Sequence, residues 1–181
     1  MRIGILLGSF DPIHMGHLHM AVSALNADLV DKVVFVPSVQ NPWKAKSSGF
    51  KNRCLMVQLA IDDMERCSIS TADKRTEAPH YSCNTLQILK DEYPEDELCL
   101  IVGVDTAVSI KNWQSGDWIL DNFRLITVAR PGCDSTGIVD IPKALDISST
   151  EIRELVKAKK QIYPLVPRII SQCIKRLGLY E

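Results

Sequence analysis

Residues 3–17 read IGILLGSFDPIHMGH, and their order already indicates a class of fold. Ile3 to Leu7 is apolar throughout, which is typical of a strand that is buried on both faces of a parallel sheet. Residues 8–17 form a short loop that leads into a predicted helix over 16–27. A buried strand, a tight loop and a helix make up the first half of a βαβ unit.

The same alternation of apolar strands and helix-like segments continues along the chain. Further strands are predicted at 32–36, 68–70, 98–102, 125–129 and 138–141, and further helices at 51–62, 82–93, 149–157 and 167–177. Polar loops are predicted at 38–49 and 71–80. The pattern predicts an α/β fold with a doubly wound parallel sheet. We expect a single domain over residues 1–181, in which 149–181 is a C-terminal helical portion.

Charge and composition exclude several classes of protein. Among the 181 residues, 21 Lys and Arg nearly balance 22 Asp and Glu, so no global basic field is available for nucleic acid. The apolar runs are too short to cross a membrane, and no signal peptide is visible, so we expect a cytoplasmic protein. The six widely spaced cysteines favour mostly buried free thiols over disulfides or zinc ligands. The sequence leaves open whether the chain forms a homo-oligomer.

The loop after the first strand has the features of a phosphate site. His14 and His17 are three residues apart, so they share one face of the first helical turn. Gly8 allows a close approach of the backbone to a ligand, and Gly16 leaves the start of the helix unobstructed. The N–H groups and partial positive charge of a helix N-terminus attract phosphate. The loop therefore predicts that phosphate binds here.

Two other interpretations of this loop remain. The first is a tight turn with two surface histidines. The second is a zinc site, because Asp11, His14, His17 and His19 lie close together in the sequence. His19 lies off the face that His14 and His17 share, so we predict no metal ligands. The loop is neither a GxGxxG fingerprint nor a Walker A motif, and hence neither a dehydrogenase nor a P-loop NTPase is indicated.

A second candidate phosphate site lies at residues 146–153, which read DISSTEIR. Ser148 and Glu151 have the spacing of a capping box, which predicts that a helix starts here with Ser148 as its N-cap. Ser149 and Thr150 add hydroxyl groups, and Arg153 adds a cation one turn further on. Taken alone, the segment fits a simple cap and a phosphate site equally well. With the first loop, it could hold one polyphosphate from two sides.

These two segments resemble the HxGH and ISSTxxR motifs of the nucleotidyltransferase superfamily. The whole chain resembles the bacterial nicotinate-nucleotide adenylyltransferase family within it. Further similar segments are Val36-Pro37 with Lys44, YSCNTL at 81–86, Gly103-Val104-Asp105 with Trp113, Arg130-Pro131-Gly132, LVP at 165–167 and LGLY at 177–180. The resemblance implies a Rossmann-like nucleotidyltransferase fold. It also implies transfer of AMP from ATP to nicotinate mononucleotide or nicotinamide mononucleotide.

The resemblance also implies roles for individual residues. The residues expected to bind ATP are Gly8, Ser9, Phe10, His14, His17, Gly103, Asp105, Ser148, Ser149, Thr150 and Arg153. Of these, His14, His17 and Arg153 are the expected catalytic residues, because they would neutralise charge on the phosphates. The residues expected to bind the pyridine substrate are Lys44, Tyr81, Asn84, Thr85 and Trp113. From the residues alone, a helix cap also explains Asp105, a core position explains Trp113, and a solvated loop explains Lys44.

The expected reaction needs no nucleophile from the protein, because the phosphate of the mononucleotide attacks ATP itself. Mg²⁺ should travel with ATP, held mainly by phosphate and water. The chain departs from the family pattern at Leu7, at Asn41 and Trp43, and at His80 and Asn84. The last two pairs flank the expected pyridine pocket and leave the choice between acid and amide open. A phosphopantetheine adenylyltransferase and a non-catalytic nucleotide-binding regulatory domain are the alternative functions.

Overall fold

The central feature of the fold is one parallel sheet. The computed structural model describes residues 1–40, 48–129, 140–141 and 145–181. The strands are β1 (Arg2–Gly8), β2 (Lys32–Pro37), β3 (Cys67–Ile69), β4 (Glu97–Gly103) and β5 (Arg124–Val128), in the spatial order β3-β2-β1-β4-β5. All four pairings are parallel. The predicted doubly wound α/β fold is confirmed.

Seven α-helices surround this sheet in the described part of the chain. They are α1 (Met15–Asn26), α2 (Phe50–Ile61), α3 (Ser82–Glu92), α4 (Val104–Ser109), α5 (Gly116–Asn122), α6 (Ser149–Lys157) and α7 (Arg168–Leu177). The sequence predicted five of them to within one residue at each end, but missed α4 and α5. It also missed the short 3₁₀ helices Ala72–Arg75 and Ile110–Asn112. Within the described ranges, no helix has both the length and the apolar character needed to cross a membrane.

The first two residues of the last predicted strand, 138–141, lie outside the described residues. Its final residue, Ile141, forms an isolated parallel bridge with Val128 of β5. Ile141 is buried. The chain therefore returns to the edge of the sheet at this point, where β5 ends.

The central strands send alternate side chains into two separate cores, as the period of two in a strand requires. Leu6, Phe35 and Ile101 lie in one core, which also contains buried residues of α1, α2, α6 and α7. Ile5, Val34 and Leu100 belong to the other, which contains buried residues of α3 and α5. Helices thus cover both faces, and this explains why the strands are apolar throughout.

The order of the strands determines where a ligand can bind. The chain runs from β1 through β2 to β3, and then crosses to the other side of β1 to form β4. The register pairs Gly8 with Pro37 and Gly103 with Val128, so the carboxyl ends of these strands share one edge of the sheet. The reversal of direction beside β1 is a topological switch point, where folds of this type open a crevice.

Candidate functional site

A buried aromatic side chain anchors the loop between β1 and α1. We call this loop, residues 9–14, the front loop. Phe10 is 1% exposed and has a left-handed backbone, with φ at 48°. Its ring packs edge-on against His17 at 4.9 Å and against Phe35 of β2 at 5.8 Å between centroids. The buried ring anchors the loop, and His14 at the end of the loop is the N-cap of α1.

His14 and His17 form a stacked pair at the start of α1. Their ring centroids are 3.7 Å apart with an interplanar angle of 24°, so they share a face as their spacing predicted. The His14 backbone N–H donates to Nδ1 of His17 at 3.3 Å. Because Nδ1 accepts this bond, a neutral His17 carries its proton on Nε2. His17 therefore has a defined tautomer with an Nε2–H donor.

The backbone at this helix start is less open than the sequence predicted. The Met15 N–H donates to the Leu165 carbonyl at 2.9 Å, and the His17 N–H donates to the His14 carbonyl at 3.0 Å. The N–H groups of Met15 and His17 therefore already have acceptors. These two N–H groups are thus not available as donors to a phosphate.

The second predicted phosphate segment lies directly against the front loop. Ser148 accepts the Glu151 N–H at 3.1 Å, which confirms it as the N-cap of α6. Ser149 donates through Oγ to the Pro12 carbonyl at 2.9 Å. Arg153 donates through Nη1 to the Asp11 carbonyl at 2.8 Å and through Nη2 to Thr150 Oγ1 at 3.2 Å. The N-termini of α1 and α6 are therefore held side by side, although they are far apart in sequence.

The Asp11 carboxylate joins the front loop to two distant segments. It is 5% exposed and accepts from the hydroxyl of Tyr180 at 2.7 Å. It also accepts from the backbone N–H of Ser48 at 3.2 Å and from the Ser48 hydroxyl. Burial raises the pKa of the Tyr180 phenol, which keeps it protonated as a donor. No local sequence pattern indicates this network, because its members are up to 169 positions apart.

A buried arginine supports the loops that follow β1 and β2. Arg53 on α2 is 1% exposed, and its guanidinium donates to four backbone carbonyls, those of Ser9, Ser38, Val39 and Ser48. Burial lowers the pKa of Arg53, and the negative charge of Asp11 opposes this effect. Several donors in a fixed fork are what only an arginine supplies. Sequence analysis missed Arg53, because a charged residue on a helix usually faces solvent.

A cleft of about 330 Å³ opens beside the carboxyl end of β1. Gly8, Ser9, Tyr81 and Trp113 line it, and all four were predicted to contact a substrate. Trp113 also packs, partly buried, against the core that contains residues of α3 and α5, so it lies at the border between that core and the cleft. Leu7 and His80, which the sequence marks as departures from the family pattern, also line the cleft. The sequence indicated no role for the other lining residues, which are Ser38, Gln40, Ser82, Asn112 and Gln114.

Three other predicted site residues, Thr85, Asn84 and Asp105, do not line this cleft. Thr85 is fully buried on α3 and donates to the Asp73 carboxylate, so its hydroxyl supports the structure around the cleft. Asn84 is exposed on the same helix and is not part of the cleft lining. Asp105 is exposed in the first turn of α4, two positions after Gly103. The prediction for Lys44 lies outside the described residues, as do Asn41, Trp43 and residues 130–132.

The geometry does not form the alternative metal site. Among the described residues, no group of three His, Cys, Asp or Glu side chains is close enough together to hold a metal ion. The carboxylate of Asp11 instead accepts from Ser48 and Tyr180. His19 contacts Ser23 on the same helix at 3.5 Å.

Solved structures of other proteins share the fold of this chain. A nicotinic acid mononucleotide adenylyltransferase of Plasmodium falciparum, complexed with NaAD, matches with a TM-score of 0.84 and 20% identity, over 99% of this chain and 97% of that one. A second structure of that enzyme, complexed with APC, matches with a TM-score of 0.82 over 99% and 96%. At this identity the likeness shows the fold.

Sequence comparison identifies the family. Residues 5–155 match the cytidylyltransferase-like family model. A relative from Clostridium tetani named "Probable nicotinate-nucleotide adenylyltransferase" is 35% identical over 96% of both chains. One of the same name from Thermus thermophilus is 34% identical over the full length of both. These names favour the predicted family over the phosphopantetheine adenylyltransferases, and the chain belongs to the nicotinate-nucleotide adenylyltransferases.

Proposed function

We propose that this chain transfers the adenylyl group of ATP to nicotinate mononucleotide. A phosphate oxygen of the mononucleotide attacks the α-phosphorus of ATP and forms the new P–O bond. The bond between the α-phosphorus and the bridging oxygen breaks, and pyrophosphate leaves with that oxygen. The observation that supports this reaction best is the contact of α6 with the front loop through Ser149 and Arg153, beside the cleft that contains Trp113.

Charge stabilisation is the proposed task of the catalytic side chains. The Nε2–H of His17 is a suitable donor to a phosphate oxygen, since Nδ1 already accepts a bond from the His14 backbone. Arg153 has more N–H donors than its bonds to Asp11 and Thr150 use. Together with His14, these groups would neutralise charge that develops on the bridging and leaving oxygens.

We propose the remaining ATP contacts from the positions of the residues in the fold. Gly8, Ser9 and Phe10 would present backbone to the nucleotide, and Gly103 with Asp105 would meet the adenosine ribose at the end of β4. Ser148, Ser149 and Thr150 would hold phosphates from the side of α6. Mg²⁺ would arrive bound to the triphosphate, with phosphate and water as its main ligands. We assign no protein ligand to it.

The pyridine mononucleotide would occupy the cleft. Trp113 would stack on the ring, since an electron-poor pyridinium is attracted to an aromatic face. Tyr81 lines the same space. Thr85 would act indirectly, because its bond to Asp73 fixes the carboxylate that also accepts the Val39 N–H at 2.6 Å. Lys44 and Asn84 stay predictions for substrate contact.

Replacing His17 tests the proposed mechanism. His17→Ala should lower kcat by about a hundredfold or more, because it removes a phosphate donor, while leaving the fold intact. The measurement is pyrophosphate release from ATP and nicotinate mononucleotide. His19→Ala on the same helix is the matched control and should keep normal turnover.

The wild-type protein itself should be assayed with nicotinate mononucleotide, nicotinamide mononucleotide and phosphopantetheine in parallel. Pyrophosphate release with a pyridine mononucleotide is the expected result. Release with phosphopantetheine alone, or tight ATP binding without any release, would contradict the proposed reaction. Near-normal turnover by the His17→Ala protein would contradict only the role of His17.

A further inference from the structure

The ring of His80 is held in the cleft in one defined orientation. Its Nδ1 lies 2.7 Å from the Thr76 hydroxyl, and that hydroxyl lies 2.8 Å from the Asp73 carbonyl. The carbonyl can only accept, so the single proton of the Thr76 hydroxyl is donated to it. The hydroxyl must then accept from His80, which places a proton on Nδ1. The other ring nitrogen, Nε2, is left to accept a bond in the neutral ring or to donate one in the protonated ring.

The anchor of this ring is part of a hydrogen-bonded network beside the cleft. Asp73 is 4% exposed, and its carboxylate is held by Thr85 of α3 and by the Val39 N–H after β2. Thr76 follows in the same turn, and its bonds to Asp73 and His80 fix the position of the His80 ring. A side chain placed by the frame in this way can discriminate between substrates, since it does not relax to suit each one.

The charge of the cleft lining makes His80 distinctive. Among the described residues that line the cleft, His80 carries the one imidazole, a group whose two ring nitrogens are both donors in its charged form. Tyr81 is the other titratable side chain of this lining, and Asp73 is the acidic group of the supporting network. A carboxylate that enters a partly desolvated cleft needs a donor, preferably a charged one.

We infer that His80 determines the choice between acid and amide substrates. This inference rests on the proposed function. In its protonated form, Nε2–H donates to the carboxylate of nicotinate mononucleotide while Nδ1–H stays bound to Thr76. The amide substrate gains only a neutral bond, in which its N–H donates to Nε2. Charge-assisted hydrogen bonds are roughly twice as strong as neutral ones, so His80 favours the acid.

Two substitutions at His80 test the roles of the two ring nitrogens separately. The short amide of His80→Asn can replace Nδ1 at Thr76 but does not reach the position of Nε2. The longer amide of His80→Gln reaches the position of Nε2 but carries no charge. The experiment measures kcat/KM for nicotinate and nicotinamide mononucleotides at saturating ATP in the wild type and both variants. The melting temperature of each protein is recorded as well.

For His80→Asn, kcat/KM for the acid should fall by about tenfold or more, mainly through KM, while the value for the amide changes less than about threefold. His80→Gln should lose most of the acid preference and keep turnover of the amide. An acid-to-amide ratio that stays within about twofold of the wild type in both variants would overturn the inference. An equal loss for both substrates would also overturn it, because that indicates a purely structural role. Failure of the wild type to use either mononucleotide would instead overturn the proposed function, and the inference with it.

Discussion

A side chain at position 16 would crowd the ring of His14. A Cβ added to Gly16 would lie 3.0 Å from both Cε1 and Nδ1 of the His14 ring, and 3.7 Å from the Leu145 carbonyl. The His14 ring is itself stacked on His17, so a shift of one ring displaces the other. The glycine of the HMGH sequence therefore has a steric reason, which the structure shows to be the packing of His14.

Gly16→Ala should separate activity from stability. Alanine is a better helix former than glycine by up to about 1 kcal/mol, so the melting temperature should stay level or rise. The displaced histidines should lower kcat/KM by about tenfold or more. Gly49→Ala is the matched control, because a Cβ at Gly49 would meet nothing within 4 Å. Full activity of Gly16→Ala in a pyrophosphate-release assay would contradict the steric argument.

At the level of secondary-structure elements, the C-terminal part of the chain holds the front loop in place. Three bonds connect them, from Ser149, Arg153 and Tyr180 to the loop. A fourth bond joins the Met15 N–H, at the start of α1, to the Leu165 carbonyl. Ile152, Val166 and Ile170 lie in the same core as Leu6 and Phe10. Helices α6 and α7 therefore help to set the geometry of α1, which carries the histidine pair.

Tyr180→Phe should weaken this connection. The variant removes the hydroxyl that donates to the Asp11 carboxylate, and the free energy of unfolding should fall by about 1–2 kcal/mol. Tyr163→Phe should change it by less than about 0.5 kcal/mol, since Tyr163 is 53% exposed. Urea unfolding of the two variants provides the comparison. Equal stability of both would show that the bond to Asp11 contributes little.

Across the molecule as a whole, burial on both faces of the sheet also controls thiol chemistry. The five described cysteines are free, and Cys83, Cys99 and Cys173 among them are buried, as predicted. Burial raises the pKa of Cys54, Cys99 and Cys173, and raises that of Cys67 from its ordinary 9.0 to about 11. The thiolate is the reactive form, so these thiols should be unreactive at neutral pH.

Alkylation with iodoacetamide at neutral pH, followed by peptide mapping, tests whether the buried thiols are unreactive. Cys67 should react about a hundredfold more slowly than free cysteine, and as fast as free cysteine after denaturation. The unfolded thiol loses its proton at a lower pH than the folded one. The stabilisation from Cys67 is therefore fully present below about pH 9 and is lost as the pH rises through about 11. Rapid labelling of native Cys67 would contradict the assignment.

Local order explains which parts of the fold could be predicted. Five helices could be predicted because each has a long periodic pattern of apolar residues or begins at a clear cap, such as Ser148 before α6. Helices α4 and α5 have only six and seven residues, which is too short for a periodic pattern to show. Trp113 was predicted and lines the cleft, whereas the buried position of Thr85 could not be known, because one helix carries both inward and outward faces.

Local patterns in the chain were enough to establish the α/β class, the strand after which the front loop begins, the histidine pair and the capped start of α6. These features depend on neighbours within a few positions, where the geometry of the backbone fixes what lies close. The folded chain was needed to show that Asp11 meets Tyr180, that Arg53 turns inward to four carbonyls, and that His80 faces the cleft through Thr76. Such contacts arise when distant segments fold against each other, and neither spacing nor composition records them.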